Sequence, residues 1–154
     1  MKTLVTIIAG LVLSTSARFA SAYLVPNLPY EKLFARSDLM VIARPVSSRD
    51  TSERTVIRDV NPPVPVVGVT TEFQVLFVFK GAKRQRFKLH HYRERVRPKV
   101  VVIGGLPGIS FDPPKNKRYL MFLVRESDGR FAPVLGQTHV VDISVQEVLG
   151  TSSD

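Results

Sequence analysis

Thr71-Glu72-Phe73-Gln74-Val75-Leu76-Phe77-Val78-Phe79-Lys80-Gly81 is the stretch that decides the fold. Phe73, Val75, Phe77 and Phe79 recur at every second position, the period of a strand, and so share one face. Glu72, Gln74, Leu76 and Val78 take the other face, which turns apolar toward its end. A long strand over Val66–Lys80 is expected, with its second half buried on both sides. Lys80-Gly81-Ala82-Lys83 supplies the turn after it.

Downstream, Arg84–Arg93 reads as a further strand, with Phe87, Leu89 and His91 inward and Arg86, Lys88, His90 and Tyr92 outward. Val100–Ile103 is a short apolar run, broken by Gly104-Gly105-Leu106-Pro107-Gly108 and again by Asp112-Pro113-Pro114. Arg118–Val124 is the next strand. Ser127-Asp128-Gly129-Arg130 is a hairpin turn leading into Phe131–Leu135. His139–Ile143 reads as a last strand and Val145–Leu149 as a helical turn within a C-terminal tail over 144–154.

Upstream, Leu39–Arg44 is a continuous, β-branched strand expected to be covered on both faces. Before it, Pro29–Ser37 reads as a short helix: Pro29 suits the first helical position, and Tyr30, Leu33 and Phe34 fall at i, i+3 and i+4. The polar, proline-dense segment 47–65 reads as an exposed loop, because proline is excluded from a central strand. Phe73, Phe77, Phe79, Phe122 and Phe131 are expected in the core. The fold class is all-β and mostly antiparallel, with one short N-terminal helix.

The 154 residues and 44% hydrophobic content fit one domain with a core of its own. The absence of Cys excludes a disulfide framework, a thiolate zinc site and a thiol nucleophile. At the N-terminus, Lys2 precedes the apolar run Leu4–Leu13, and Phe19-Ala20-Ser21-Ala22 is an Ala-x-Ala site. That pattern predicts a signal peptide over 1–22, cleaved between Ala22 and Tyr23, and hence a secreted or periplasmic protein. An anchor would need about twice that apolar length. The expected mature domain, 23–154, begins with an extended lead-in over 23–29. Loss of Lys2 and Arg18, with no acid, leaves 20 basic and 13 acidic residues, a net +7.

Three segments carry a resemblance. They are Ser37-Asp38-Leu39-Met40-Val41-Ile42-Ala43-Arg44, the Thr71–Gly81 strand ending in Lys-Gly, and Arg118–Leu123 followed by Asp128-Gly129-Arg130-Phe131 and Gly136. In that order they resemble the OB-fold barrel of tissue inhibitors of metalloproteinases and netrin-like modules. They are closer still to cysteine-free exported bacterial proteins with a barrel of that kind. The resemblance implies an OB-like antiparallel barrel, closed or partly open, over roughly residues 29–143. The inhibitors act through an N-terminal Cys that chelates the protease zinc. This chain has Tyr23 at the expected mature N-terminus and no Cys, so that activity is not implied.

Charge is concentrated. Lys80, Lys83, Arg84, Arg86, Lys88, Arg93, Arg95, Arg97 and Lys99 face a single acid, Glu94, between residues 80 and 99, giving that segment +8. Such a field attracts polyanions, and Tyr92 and outward His90 would add stacking surface. The candidate anion-binding set is therefore Lys83, Arg84, Arg86, Lys88, His90, Tyr92, Arg93, Arg95 and Arg97. A glycan, a nucleic acid, a lipid headgroup or an acidic protein would satisfy it. The alternative is an edge strand armoured against edge-to-edge pairing, in a structural or accessory envelope protein whose contacts are ordinary protein–protein ones. A metal-dependent hydrolase is the remote third reading. His90 and His91 point to opposite faces and His139 shares no regular face with Asp142, so no metal site is expected. No Gly-x-Ser-x-Gly elbow, close carboxylate pair or P-loop is present, so neither catalytic residues nor a cofactor are expected.

Overall fold

The structure, a computed structural model, describes residues 28–58, 63–95, 111–136 and 144–148. Their order is helix α1 (Tyr30–Arg36), strands β1 (Leu39–Ile57), β2 (Val64–Lys80) and β3 (Arg86–Glu94), a 3₁₀ turn (Pro113–Lys115), then β4 (Arg118–Arg125), β5 (Phe131–Pro133) and β6 (Val145–Val148). The all-β class with one short helix stands. The strands form a circuit β1-β2-β3-β5-β4 that returns to β1 through the β1–β4 ladder, with β6 beside β5 on the far edge of β4. All pairings are antiparallel except β3–β5, which is parallel and consists of the single pair Leu89 and Phe131. The result is an all-β sheet that closes on itself through the β1–β4 ladder without forming a regular barrel.

The interior is filled by inward residues of every strand. Leu39, Val41, Ala43, Phe73, Phe87, Leu89, Tyr119, Met121, Leu123, Phe131 and Val145 are buried together with Phe111. Phe73 is the hub. Its ring stacks on Phe87 at 5.2 Å between centroids and meets the edge of Phe111 at 4.9 Å. Burial of one such ring contributes about 1.5–3 kcal/mol, and a chain without disulfides depends on these contacts.

Helix α1 starts where the Pro29 carbonyl accepts from Lys32 N and Leu33 N at 2.9 and 3.1 Å. It ends at Ser37, which turns extended and whose hydroxyl donates to Phe34 O at 2.9 Å. Asp38 then pins β1 to β4: its N–H donates to Leu123 O, and its Oδ2 accepts from Arg125 N, both at 2.8 Å.

Several expectations are corrected. Segment 47–65 is exposed but is not a loop. Strand β1 runs on to Ile57, which pairs with Val64 at the start of β2. Its polar residues suit a strand that is solvated on both sides. Ser48 even bonds to Thr71 through the hydroxyls at 2.8 Å. In β2 the doubly buried half is the first, Val66–Thr71, not the second.

Two β-bulges explain why the alternation fails after Val75. Val75 pairs with Ala43 but Phe77 with Ile42, leaving Leu76 extra; Val78 pairs with Val41 but Lys80 with Met40, leaving Phe79 extra. Each bulge turns an in–out step into out–out. Phe77 and Phe79 are therefore exposed, at 66% and 52%, while Phe73, Phe122 and Phe131 are buried as expected.

Residues 145–148, expected as a helical turn in a tail, form β6. Val100–Ile103, Gly104–Gly108, His139–Ile143 and the cleavage site Ala22–Tyr23 lie outside the described residues.

Candidate functional site

The described polar chemistry gathers on the outer face of β3, which side chains from the far half of β1 reach across β2. A wide irregularity in β1 between Asp50 and Arg54 makes this possible. Thr51 Oγ1 donates to Gly68 O at 3.1 Å and accepts from Glu53 N at 3.2 Å, which folds Glu53 back over β2 toward β3. Gly68 leaves the room. A Cβ there would sit 2.6 Å from Thr51 Oγ1 and 2.9 Å from Glu53 Oε2.

Glu53 thereby reaches two β3 side chains. The Tyr92 hydroxyl donates to its Oε1, and its Oε2 lies 2.9 Å from His90 Nε2. On the other side of the ring, Glu126 places its two oxygens 3.1 and 3.0 Å from His90 Nδ1. His90 is 4% exposed, so the ring lies in a nearly closed cage between two carboxylates. Arg130 adds a cation 3.8 Å from Glu126 and 2.6 Å from Asp128.

The expectation that His90 points outward as a stacking surface is therefore corrected. It does project from the outer face of β3, but β1 and the β4–β5 turn cover it. Glu53 and Glu126 flank one ring from opposite sides. They approach opposite nitrogens, so they cannot share a metal ion through it. Among the described residues no three His, Asp or Glu side chains converge as metal ligands.

The electrostatics follow from these contacts. The Tyr92 hydroxyl bond holds the Glu53 carboxyl below the usual glutamate range. Burial, and then the bond to Glu53, pushes Tyr92 up to about 12. His91, on the inward face as expected, lies against Phe111 at 5.1 Å and shares a 2.9 Å bond between its Nε2 and Thr71 Oγ1. Burial, reinforced by the neighbouring His90, lowers it to about 4. Arg93 hydrogen-bonds Asp50, holding the Asp50 carboxyl low and the guanidinium high.

The remaining candidate cations divide into two groups. Arg86 and Arg93 are committed to acids, Glu72 at 3.3 Å and Asp50 through Nε at 2.9 Å. Lys83, Arg84, Lys88 and Arg95 have no ion pair among the described residues. Arg84 is held over the Phe131 ring, 4.7 Å from its centroid, and Arg95 donates its backbone N–H to Pro65 O at 2.9 Å. Arg97 and Lys99 lie outside the described residues.

Glu53 and Glu126 are the residues that sequence reasoning missed. The β-branched Thr55-Val56-Ile57 at the end of the supposed loop was the available signal that β1 continues past Glu53. No family model matches the chain, and no curated protein matches it. Among the described residues no helix is long and apolar enough to cross a membrane.

Proposed function

We propose that the chain is an exported binding module that engages an anionic partner through the basic segment Lys80–Lys99. The observation that carries this reading is the set Lys83, Arg84, Lys88 and Arg95, which carry positive charge without an acidic partner among the described residues. Their neighbours Arg86 and Arg93 are already neutralised in place by Glu72 and Asp50. The uncommitted cations supply the attraction; the neutralised pairs and the caged His90 hold the strand that displays them.

One observation favours the alternative of a structural protein. Apart from the single pair with β5, the second edge of β3 carries no strand among the described residues. Lys and Arg on such an edge also suppress edge-to-edge pairing.

Binding of heparin and of single-stranded DNA, titrated from low to near-physiological salt, separates the two. The comparison is a variant with Lys83, Arg84 and Lys88 changed to Glu. A polyanion site gives binding that weakens steeply with salt, survives at about 0.15 M and is lost in the variant. Binding that is absent at that salt, or indifferent to the variant, leaves edge protection as the role of these charges.

A further inference from the structure

The two bulges of β2 build a second surface on the opposite end of the same strand. Leu76 with Phe77, and Phe79 with Lys80, project together on the outer face. Phe77 and Phe79 stack on each other at 6.4 Å between centroids. Lys80 holds Phe34 of α1 beside them: its ammonium lies 4.9 Å over the Phe34 ring and donates to Ala35 O at 3.2 Å. Phe34 and Leu76 are 44% and 39% exposed. A helix end and a strand end thus present one continuous apolar strip.

At the Leu76 end the strip opens on a groove of about 250 Å³ lined by Leu76, Asn116, Arg44 and Arg118. Arg44 is fixed in place. Its Nε and Nη2 donate to Gln74 Oε1 at 3.0 and 2.7 Å, and its Nη1 donates to Asn116 Oδ1 at 2.9 Å. The described arginine ion pairs are those of Arg86, Arg93 and Arg130, so neither guanidinium in the groove is neutralised by a carboxylate among the described residues.

We infer that this surface docks on an anionic lipid bilayer, with Phe77, Phe79 and Phe34 entering the interface and Arg44, Arg118 and Lys80 meeting headgroup phosphates. Aromatic side chains flanked by cations match the depth profile of a bilayer interface, apolar below and anionic above. A second copy of the chain fits poorly, because a self-complementary contact would bring these cations against their own copies. An added peptide strand fits poorly as well, because the two bulges interrupt the regular spacing that a new ladder needs. Lys80 apart, the surface uses no cation of the Lys80–Lys99 segment, and it leaves Lys83, Arg84 and Lys88 untouched, so it stands or falls separately from the polyanion reading.

The chain has no Trp, so Phe77→Trp installs a single fluorescent reporter on the strip, whatever else the chain touches. The full chain carrying it is mixed with phosphatidylcholine vesicles, with or without phosphatidylglycerol, and with vesicles bearing brominated acyl chains. Anionic vesicles should shift the emission to the blue, brominated chains should quench it, and zwitterionic vesicles should do little. Adding Arg118→Gln should weaken partitioning about fivefold, and adding Arg44→Gln as well should weaken it about 30-fold, each basic side chain near an anionic leaflet counting for about fivefold. Circular dichroism confirms that each variant is folded. Emission unmoved by anionic vesicles overturns the inference. So does an equal shift with zwitterionic ones, or a shift that grows with protein concentration and needs no lipid.

Discussion

Acidification from pH 7 to pH 5 removes stability through His91. The ring lies inside the closed sheet beside Phe111, bonded to Thr71, and its folded-state value is about 4 against an ordinary 6.5. Because the folded value is depressed, the unfolded chain binds the proton first. Stability is then full above the unfolded value and falls as pH drops from about 6.5 toward 4. The loss amounts to about 2 kcal/mol by pH 5 and approaches ~3 kcal/mol by pH 4, from a shift of 6.5 to about 4. The carboxyls held low in the fold, Asp50, Glu53 and Asp128, lose their contribution below their unfolded values of 3.8 to 4.5, so they leave the interval from pH 7 to pH 5 clear. Urea unfolding of the wild type and of His91→Gln at pH 7 and pH 5 measures the effect. The variant starts less stable but should lack the ~2 kcal/mol loss between the two pH values. If both proteins lose the same stability over that interval, the buried neutral ring is not what titrates.

Other expectations follow from single positions. Phe73→Ala should cost about 3–5 kcal/mol, since it empties the centre of the aromatic cluster, whereas Phe77→Ala should stay within about 0.5 kcal/mol despite having the same side chain and parity. Thermal or urea unfolding of the pair checks the placement of the Leu76 bulge, and equal costs would refute it. Gly81 has φ +95°, and a Cβ on it would lie 2.5 Å from Asp38 O. Gly81→Ala should therefore destabilise the β2–β3 turn by more than about 1 kcal/mol, which a shift in urea midpoint reads. Gly68→Ala should displace Glu53 from Tyr92 and His90, and a phenol titration should then show the Tyr92 value falling from about 12 toward 10.

How much of this was legible depended on which residues face the core. Strands β2, β3 and β4 announce themselves through Phe73, Phe87, Leu89, Met121 and Leu123, because burial on one face enforces period two. The far half of β1 is solvated on both sides, so nothing in Ser47–Arg54 had to be apolar, and the segment reads as loop. A bulge adds one residue without changing composition, so the reversal of Phe77 leaves no trace in the pattern. The His90 cage was hidden for another reason. Tyr92 and Glu53 are 39 positions apart, and His90 and Glu126 are 36 apart, so the cluster exists only once the strands have paired. The uncommitted cations of the Lys80–Lys99 run were visible in the sequence, but the partners of Arg86 and Arg93 were not.

The seating of β1 between two partners sets the order in which the molecule can be assembled. One edge of Leu39–Ala43 is met by β2, with Met40 opposite Lys80; the other waits for β4, with Leu39 opposite Leu123, roughly twice as far along the chain. Doubling a loop adds only about 0.6 kcal/mol of closure entropy, so the second ladder is thermodynamically inexpensive. In time it is late. A chain emerging from its N-terminus carries an apolar strand with one bare edge until most of its length has appeared, and contacts this remote slow the final closure. The hairpin β1–β2 is thus the natural first product, and ring closure through β4 is a single late event that commits the whole sheet at once.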